Sequence, residues 1–576
     1  MSPRVRMAAT RWLPSSPAHG KTKSRRSSAV RRTLLVIAVS VTAVLLVAVV
    51  YGGARWTLSA GCGDTSWVSA GARVVFNAVS GQQGADPVAT AVEPPNRLLG
   101  GLLSPDFDDS SCLSRYRSGL YRRQSLHVVS SHLVASLRRY ESIHRRCGPG
   151  TSAYERAVAR LRSPSNTSDA AAAAPSECRY LVWTPLEGLG NRMLTLTSAF
   201  LYALLTDRVL LFHHPGDDLK DLFCEPFPGS TWTLPEGDHL PFSGMQGFNA
   251  RTRESLGNVL RRGEGGARDH PPPPWMYVHL RHDYTRNAND PRFFCDDGQD
   301  ALRRVGWVVL LSDNYFLPGL FLLPRFEREL SRMFPRGDAA FHHLGRYLLH
   351  PSNTVWGMVT RYHSSYLSCA EERVGIQVRS FYWARISTDE LYNQIMSCAH
   401  GENILPRLQQ EPSNATAGEL PQPATRRKSV LVVSLHGEYS ERIKDLYYQH
   451  GAAGGEAVSV FQPTHLDRQR SGEQLHNQKA LAEMMLLSFS DVVITSAAST
   501  FGYVGHGLAG LRPWVLMSPV DKKVPDPPCR LAATIEPCFH IPPHYDCKTR
   551  AKGDTGKMVR HVRPCEDFEN GVQLVE

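Results

Sequence analysis

Short apolar runs alternate with longer amphipathic stretches through the chain from Tyr180 onward. An apolar run of roughly four to eight residues is typical of a strand buried on both faces of a parallel sheet. The stretches between the runs place apolar residues at helical spacing. The pattern therefore predicts an α/β fold in two units that join near residues 340–370. The predicted strands are YLVW (180–183), VLLF (209–212), MYVHL (276–280), WVVLL (307–311), VGIQVRSF (374–381), SVLVVSL (429–435), VSVF (458–461), VVIT (492–495) and WVLM (514–517).

The chain before Tyr180 has a different pattern. Residues 110–163 combine periodic apolar positions with many arginines, and the part from 121 to 146 predicts an amphipathic helix. Residues 163–176, SPSNTSDAAAAAPS, are a low-complexity linker.

The N-terminal segment predicts a membrane anchor. Residues 33–54 contain no charged side chain, and a helix of this length can span a bilayer core of roughly 30 Å. The cationic segment before it keeps the N-terminus cytoplasmic. We therefore predict a basic tail (1–32), an uncleaved signal anchor (33–54) and a Gly-, Ala-, Ser- and Pro-rich stem (55–105). A cleaved signal peptide is the alternative, although its apolar core is usually only about 7–15 residues long.

Composition excludes several classes of protein. A hydrophobic fraction of 42% and a charged fraction of 21% exclude a wholly disordered, collagen-like or polytopic membrane chain. The net charge is +11, but residues 1–32 carry nine Lys or Arg and no acid, which leaves +2 for the rest. A nearly neutral body argues against nucleic-acid binding.

Cysteines and sequons indicate the secretory pathway. Of twelve cysteines, four (Cys529, Cys538, Cys547 and Cys565) crowd the C-terminal segment. Their spacing lacks the knuckle of a zinc ribbon, so we predict disulfides and keep a zinc site as the alternative. Sequons begin at Asn166 and Asn414, in stretches that read as exposed loops.

The first candidate binding segment spans residues 180–207 and predicts a strand, then a glycine turn, then a helix. Gly188 and Gly190 would let backbone amides approach an anion at the helix N-terminus. Asn191 and Arg192 follow directly, and a guanidinium can bind phosphate through two parallel hydrogen bonds. An ordinary turn is the alternative interpretation.

Two further segments end strands with polar residues. Arg379 follows an apolar strand, where a guanidinium is costly unless it meets an anion, so it is a candidate phosphate ligand. A structural salt bridge is the alternative. The strand at 492–495 leads into hydroxyl side chains and a Gly-rich helix start, which form another anion cradle. The hydroxyl and ring groups that we expect to share this crevice are Ser434, His436, Tyr439, Ser499 and Thr500.

Three anion cradles in two α/β units suggest a glycosyltransferase that uses a nucleotide sugar. The chain resembles the plant xyloglucan fucosyltransferase family from about residue 105 to its C-terminus. The motifs that carry this resemblance are long and occur in order: GLGNR (188–192), SDNYF (312–316), FHHLGRYLLHP (341–351), VWGMVTRY (355–362), GIQVR (375–379), HNQKALAEM (476–484), SAASTFGYV (496–504), EPCFHIPPHYDCK (536–548) and HVRPCEDF (561–568).

The resemblance implies a Golgi type II membrane enzyme with a lumenal catalytic domain. It would transfer L-fucose from GDP-fucose, with inversion and without a metal, to form α-1,2 linkages on xyloglucan galactose or on arabinogalactan. The implied fold is GT-B-like, with two Rossmann-type lobes facing a cleft. Residues 106–370 would be the N-terminal, acceptor-side lobe, and residues 371–576 the donor-binding lobe with its Cys-rich end.

Site roles are implied residue by residue. Arg379 would hold the GDP phosphates, with Gly190, Asn191 and Arg192 beside it. Asp313 of SDNYF would face the acceptor, although a carboxylate with a pKa near 4 is a weak base for a sugar hydroxyl. Ser499, Thr500 and Phe501 would flank the nucleotide. His436 departs from the family pattern, which has a small or amide residue there.

Other functions remain open at this stage. One is a protein O-fucosyltransferase or another nucleotide-sugar transferase of the same fold. Another is a non-catalytic Golgi partner of an active enzyme. A second copy of the chain or another Golgi transferase is the expected protein partner.

Overall fold

The structure, a computed structural model, describes residues 96–162, 177–213, 216–219, 221–237, 240–264, 273–287, 289–381, 386–409, 424, 426–550, 553 and 559–576. The predicted tail, the predicted anchor and both sequons lie outside these residues. Among the helices of the described ranges, none has the length and apolar character needed to cross a membrane.

Two parallel sheets organise the described chain, as the α/β prediction requires. The first has the strand order β2-β1-β4-β3, and the second has the order β10-β9-β8-β5-β6-β7, with only β10 antiparallel. All nine predicted strands are present, followed by three short ones. The strands are β1 Arg179–Thr184, β2 Arg208–Phe212, β3 Trp275–Leu280, β4 Trp307–Ser312, β5 Glu372–Gln377, β6 Arg426–Val433, β7 Glu456–Phe461, β8 Val492–Ser496, β9 Trp514–Leu516, β10 Cys529–Leu531, β11 Val562–Pro564 and β12 Val572–Leu574.

Helices connect the strands and cover both sheets. In the described residues they are α1 Leu113–Arg117, α2 Ser131–Cys147, α3 Ser152–Arg162, α4 Leu189–Thr206, α5 Leu256–Glu264, α6 Asp296–Arg303, α7 Leu317–Leu320, α8 Pro324–Met333, α9 Ala340–Leu348, α10 Asn353–Tyr362, α11 Thr388–Gly401, α12 Glu438–Gln449, α13 Gln474–Leu487 and α14 Thr500–Ala509.

The hydrophobic core follows the alternation of side chains along the strands. In β1, Leu181 and Trp183 face the largest cluster, which also contains side chains of α4, α13 and α14. The alternate residues Tyr180 and Val182 face a second cluster on the outer side of the first sheet. A third cluster covers the outer side of the second sheet. The Met/Leu stripe of α13 is core, as the sequence predicted.

Two boundaries predicted from sequence are wrong. The amphipathic pattern at 121–146 is helical only from Ser131, because the Ser130 hydroxyl accepts from the Leu133 amide and starts the helix there. The predicted stem (55–105) extends too far, because Leu102 and Leu103 are buried in the core.

Disulfides tie the C-terminal segment to the rest of the described chain. Of its four cysteines, two pair with each other and the other two pair with distant elements, and no free cysteine occurs in the described residues. The zinc alternative is therefore wrong, because each of the four thiols is in a disulfide. Cys369 is also in a disulfide. The bonds that join two described residues are Cys112–Cys224, Cys147–Cys178, Cys295–Cys547, Cys398–Cys529 and Cys538–Cys565.

Candidate active site

A cavity of about 360 Å³ opens at the carboxyl ends of β1, β5, β6, β7 and β8. This edge is where ligands bind in open α/β sheets. The cavity brings together side chains from both sheets, including most of the predicted site residues. The predicted residues that line it are Gly188, Gly190, Asn191, Arg379, Ser434, Ser499, Thr500 and Phe501.

The N-terminus of α4 forms one wall. Gly188 is its N-cap residue and makes no side-chain cap. Gly190 has a packing role, because a Cβ there would lie 2.8 Å from the Thr500 carbonyl carbon. The Asn191 side chain joins the sheets: its Oδ1 accepts from the Thr500 hydroxyl at 2.6 Å, and its Nδ2 donates to the Asp313 carbonyl at 3.4 Å.

The N-terminus of α14 forms the facing wall. The Ser499 hydroxyl caps this helix by accepting from the Gly502 amide at 3.4 Å. Two helix N-termini thus meet at one cavity, and each adds a partial positive charge. The pair favours an anionic ligand.

Arg379 lies two residues beyond the end of β5 and is half-buried. Its amide donates to the Ser496 hydroxyl at 2.9 Å. Within the described residues, no carboxylate lies within salt-bridge distance of its guanidinium. Burial lowers the pKa of Arg379 from its ordinary value, which is the cost of a cation without a partner. An anion in the cavity would offset that cost.

Three predicted site residues, Arg192, Tyr439 and His436, do not line the cavity. The Arg192 guanidinium donates to Asp218 at 2.6 Å and to the Glu187 carbonyl at 2.7 Å, so it is not available to a ligand. Tyr439 is buried in the core outside the second sheet. His436 is close in sequence to Ser434 but does not line the cavity.

Glu483 lines the cavity, and the sequence analysis missed it. It lies on α13, and its carboxyl accepts a hydrogen bond from the Thr464 hydroxyl. Burial raises the pKa of Glu483 to about 7. Its position within the apolar stripe of α13 hid it, since that stripe was interpreted as core.

Asp313 lies beside the cavity rather than in its lining. Its side chain is only 7% exposed, and its Oδ1 accepts from Asn314 Nδ2 at 2.8 Å. Its Oδ2 contacts His282 Nδ1 at 2.8 Å. The loop that carries Asp313 is anchored from the C-terminal segment, because Glu536 accepts from the Tyr315 hydroxyl at 2.9 Å.

The HVRPCEDF motif contributes a carboxyl near the same end of the second sheet. Asp567 accepts from the Tyr503 hydroxyl at 2.6 Å and from the Ala498 amide at 3.0 Å. With Cys538 and Cys565 it is the one cluster of metal-ligand donor types found in the described residues. Both thiols of this cluster are in one disulfide, so it does not fit a metal ion.

Comparison with known proteins identifies the family. A model of the xyloglucan fucosyltransferase family matches residues 72–548. The chain belongs to this family. Galactoside 2-alpha-L-fucosyltransferase of Pisum sativum is 45% identical over 482 residues, which are 84% of this chain and 82% of the pea protein. The Arabidopsis thaliana enzyme of the same name is 45% identical over 483 residues, which are 83% of each chain.

A solved structure agrees with the family assignment. An arginine-to-lysine mutant of Arabidopsis thaliana FUT1, in complex with GDP, is 44% identical to this chain. It superposes with a TM-score of 0.75, and the match covers 83% of this chain and 100% of that one. As a member of the xyloglucan fucosyltransferase family, the protein is a glycosyltransferase.

The geometry points to two residues near the cavity that the sequence analysis did not select. His282 follows a predicted strand, and Asp567 lies within the HVRPCEDF motif. For His282 a signal existed: it comes two residues after the end of β3, and strand ends were the criterion that selected Arg379. For Asp567 the signal was only its place in a family motif.

Proposed function

We propose that the cavity binds GDP-fucose and that the enzyme transfers fucose, with inversion, to a galactoside hydroxyl in α-1,2 linkage. The observation that carries this proposal is the Arg379 guanidinium, which has no carboxylate partner among the described residues and lines the same cavity as two helix N-termini. A pyrophosphate supplies the negative charge that this arrangement favours. The names of the pea and Arabidopsis relatives and the GDP bound to FUT1 support the same donor and linkage.

The arrangement of the two sheets supports a GT-B-like enzyme. The strands of the first sheet all precede residue 370 and those of the second follow residue 371. We propose that 106–370 carries the acceptor and that 371–576 carries most of the donor. Arg379, Ser434 and Ser499 belong to the second part, whereas Asp313 belongs to the first.

Glu483 gives the cavity a means to recognise guanine. The Watson–Crick edge of guanine offers two adjacent N–H donors, and an ionised carboxylate accepts both. Uracil and adenine do not present that pair. We propose that Glu483, buried against Thr464, accepts these two hydrogen bonds.

Calorimetric titration of the purified chain with GDP, IDP and UDP tests this site. GDP should bind at least roughly tenfold more tightly than IDP, which lacks the 2-amino donor, because a charged hydrogen bond contributes about 1.5–3 kcal/mol. In Glu483→Gln the preference for GDP over IDP should disappear. Equal affinities in the wild-type protein would contradict the assignment.

We propose that transfer needs no metal ion. Arg379, Lys479 and the two helix N-termini supply positive charge at the cavity. The Asp-x-Asp sequence at Asp106 and Asp108 is exposed and is not at a strand end. Incubation with EDTA should leave the rate unchanged, and a reproducible requirement for manganese would contradict this proposal.

The cellular setting is proposed from the N-terminal sequence and the family. We place the enzyme in the Golgi membrane as a single-pass type II protein with its catalytic part in the lumen. The acceptor is xyloglucan galactose or an arabinogalactan sugar. Transfer assays with a panel of both acceptor types distinguish them.

A further inference from the structure

His282 and Asp313 form a pair at the edge of the first sheet. The strands β3 and β4 are parallel neighbours, and Leu280 and Ser312 are register partners at their carboxyl ends. The residues that follow therefore meet: His282 Nδ1 lies 2.8 Å from Asp313 Oδ2. The histidine side chain is 59% exposed, whereas the aspartate is 7% exposed.

The pair is held rigidly on its aspartate side. The Ser312 hydroxyl donates to the Leu280 carbonyl at 3.0 Å, which joins the two loops. The side-chain Nδ2 of Asn314 donates both to the Asp313 carboxylate and to the Leu280 carbonyl. Because each of these contacts is buried or half-buried, the carboxylate is fixed while the imidazole faces outward.

The pair also adjoins the donor cavity. Asn191 lines the cavity and donates to the backbone carbonyl of Asp313 at 3.4 Å. One asparagine therefore lies between the proposed donor site and the loop that carries the pair. An acceptor hydroxyl that reaches the donor through this side of the cavity would pass the exposed imidazole.

Hydrogen-bond chemistry decides which ring nitrogen is free. An ionised carboxylate can only accept, so the proton of the neutral ring is on Nδ1. The Nε2 atom then keeps its lone pair. The aspartate thus orients the ring and stabilises the imidazolium that forms when Nε2 takes a proton.

We propose that His282 is the general base of the transfer reaction and that Asp313 is its positioning residue. The proposal rests on the proposed fucosyl transfer. His282 Nε2 removes the proton of the acceptor hydroxyl as that oxygen bonds to the anomeric carbon of fucose. The bond from this carbon to the GDP oxygen breaks, and GDP leaves with the electron pair. The exposed imidazolium then releases its proton to solvent.

Charged residues flank His282 on its own loop and face it from β4. On its own loop lie Arg281 and Asp283, and the Asp283 carboxylate also contacts His279 Nε2 of β3 at 2.9 Å. Asp313 faces His282 from the end of β4. Burial raises the pKa of Glu483 in the donor cavity to about 7, so rates are measured at saturating GDP-fucose.

The test compares three variants of the full-length enzyme with a galactoside acceptor. His282→Ala should lower kcat by about 10²–10⁴-fold, the usual contribution of a general base, with GDP affinity and melting temperature unchanged. Its pH profile should lose the acid limb, the fall in rate at low pH that protonation of a general base causes, and added imidazole should restore part of the rate. Asp313→Asn should also lower kcat, since an amide no longer selects the tautomer.

His450→Ala is the matched control, because this exposed histidine follows α12 and is remote from the cavity lining. It should behave as wild type. A kcat of His282→Ala within threefold of wild type, or an acid limb that persists in it, would overturn the proposal. Failure of the wild-type enzyme to use GDP-fucose with any acceptor would instead overturn the proposed function, so the two failures are distinguishable.

Discussion

Two arginines at β5 illustrate how a partner decides the role of a residue. Arg373 lies within the strand, and its guanidinium contacts both oxygens of the buried Asp491, which is a structural ion pair. Arg379 lies just beyond the strand and meets no carboxylate among the described residues. The structural salt bridge that was the alternative role for Arg379 is therefore formed by Arg373 instead.

Arg379→Lys should damage catalysis far more than folding. Lysine keeps the charge but loses the planar pair of donors that matches a phosphate. If Arg379 neutralises the departing GDP, kcat should fall by about 10²-fold or more, and GDP affinity should weaken. The melting temperature should stay near that of wild type, because no native ion pair is broken.

Arg373→Lys is the matched control for this prediction. It breaks the two-pronged contact with Asp491, so its melting temperature should fall while kcat of the folded enzyme stays near wild type. Melting curves and steady-state kinetics on both variants provide the comparison. Near-normal kcat in Arg379→Lys would contradict the role of Arg379 as the phosphate ligand.

The sequence could place a residue at the cavity where a strand end selects the position, but not where a distant partner decides what the side chain contacts. Arg379 could be predicted because it follows a buried strand. Arg192 could not be judged, since its partner Asp218 lies in a short 3-10 helix 26 residues away. His282 also follows a strand end, but its pairing with Asp313 depends on the register of β3 on β4, which the sequence does not reveal.

At the level of elements, the close approach of α4 and α14 shapes the cavity. Gly190→Ala should separate the two helix N-termini, because its Cβ would meet backbone atoms of Thr500 and Phe501 at 2.8 and 2.9 Å. Such overpacking costs about 1–3 kcal/mol. We expect a lower melting temperature and weaker GDP binding.

Gly188→Ala provides the contrast within the same turn. Its Cβ would meet only the end of the flexible Gln469 side chain, which can move away, and its backbone suits alanine at φ −69°. Its melting temperature should stay close to that of wild type. An equal fall in melting temperature in both variants would contradict the interpretation that Gly190 is required for the close contact of α4 with α14.

The element pattern was predictable because buried strands have a strong local signal. All nine apolar runs are strands, and the two parallel sheets follow from the helices between them. The start of α2 was not predicted, because Leu126 and Val128 fit the helical period although both are largely exposed on an irregular segment. Periodicity cannot tell an apolar residue that packs from one that does not.

At the scale of the whole molecule, the boundary of the folded body can be tested by truncation. Deletion of residues 1–105 should destabilise the protein, because it removes the buried Leu102 and Leu103 and the Ser104 carbonyl that accepts from Tyr116. Loss of a buried leucine typically costs about 2–5 kcal/mol. A chain that starts at residue 96 should melt at a higher temperature than this truncation and should keep its GDP affinity. Equal stability of the two truncations would contradict this boundary.

Buried titratable groups predict a stability maximum near pH 6.5. Burial raises the pKa of Glu483 and Asp290 to about 7 and that of Glu536 to about 8. Between the ordinary carboxyl pKa near 4 and these raised values, the folded state holds protons that the unfolded state has lost, so these three groups lower stability as pH rises toward about 8 and not beyond. Burial lowers the pKa of His144 to about 4 and that of His506 to about 3. Burial also lowers the pKa of His343 to about 3 and those of His363 and His540 to about 4. Below about pH 6.5 the unfolded state gains protons on these five histidines first, and because they outnumber the three carboxyls, stability falls as pH drops.

Melting temperatures measured from pH 4.5 to 9 test this prediction. The curve should rise to about pH 6.5 and then decline. Glu536→Gln, which cannot ionise, should flatten the decline on the alkaline side. A melting temperature that keeps rising from pH 6.5 to 9 would contradict the assignment of these buried carboxyls.

The most direct test of the central claim is to determine the linkage of the product that the purified full-length enzyme makes from GDP-fucose and a galactosylated xyloglucan oligosaccharide. Nuclear magnetic resonance of the isolated product gives both the anomeric configuration and the position of attachment. We predict one fucose in α configuration on O-2 of galactose, with release of one GDP for each fucose transferred. A product of retained configuration, or no transfer from GDP-fucose to any galactoside or arabinogalactan acceptor, would contradict the account.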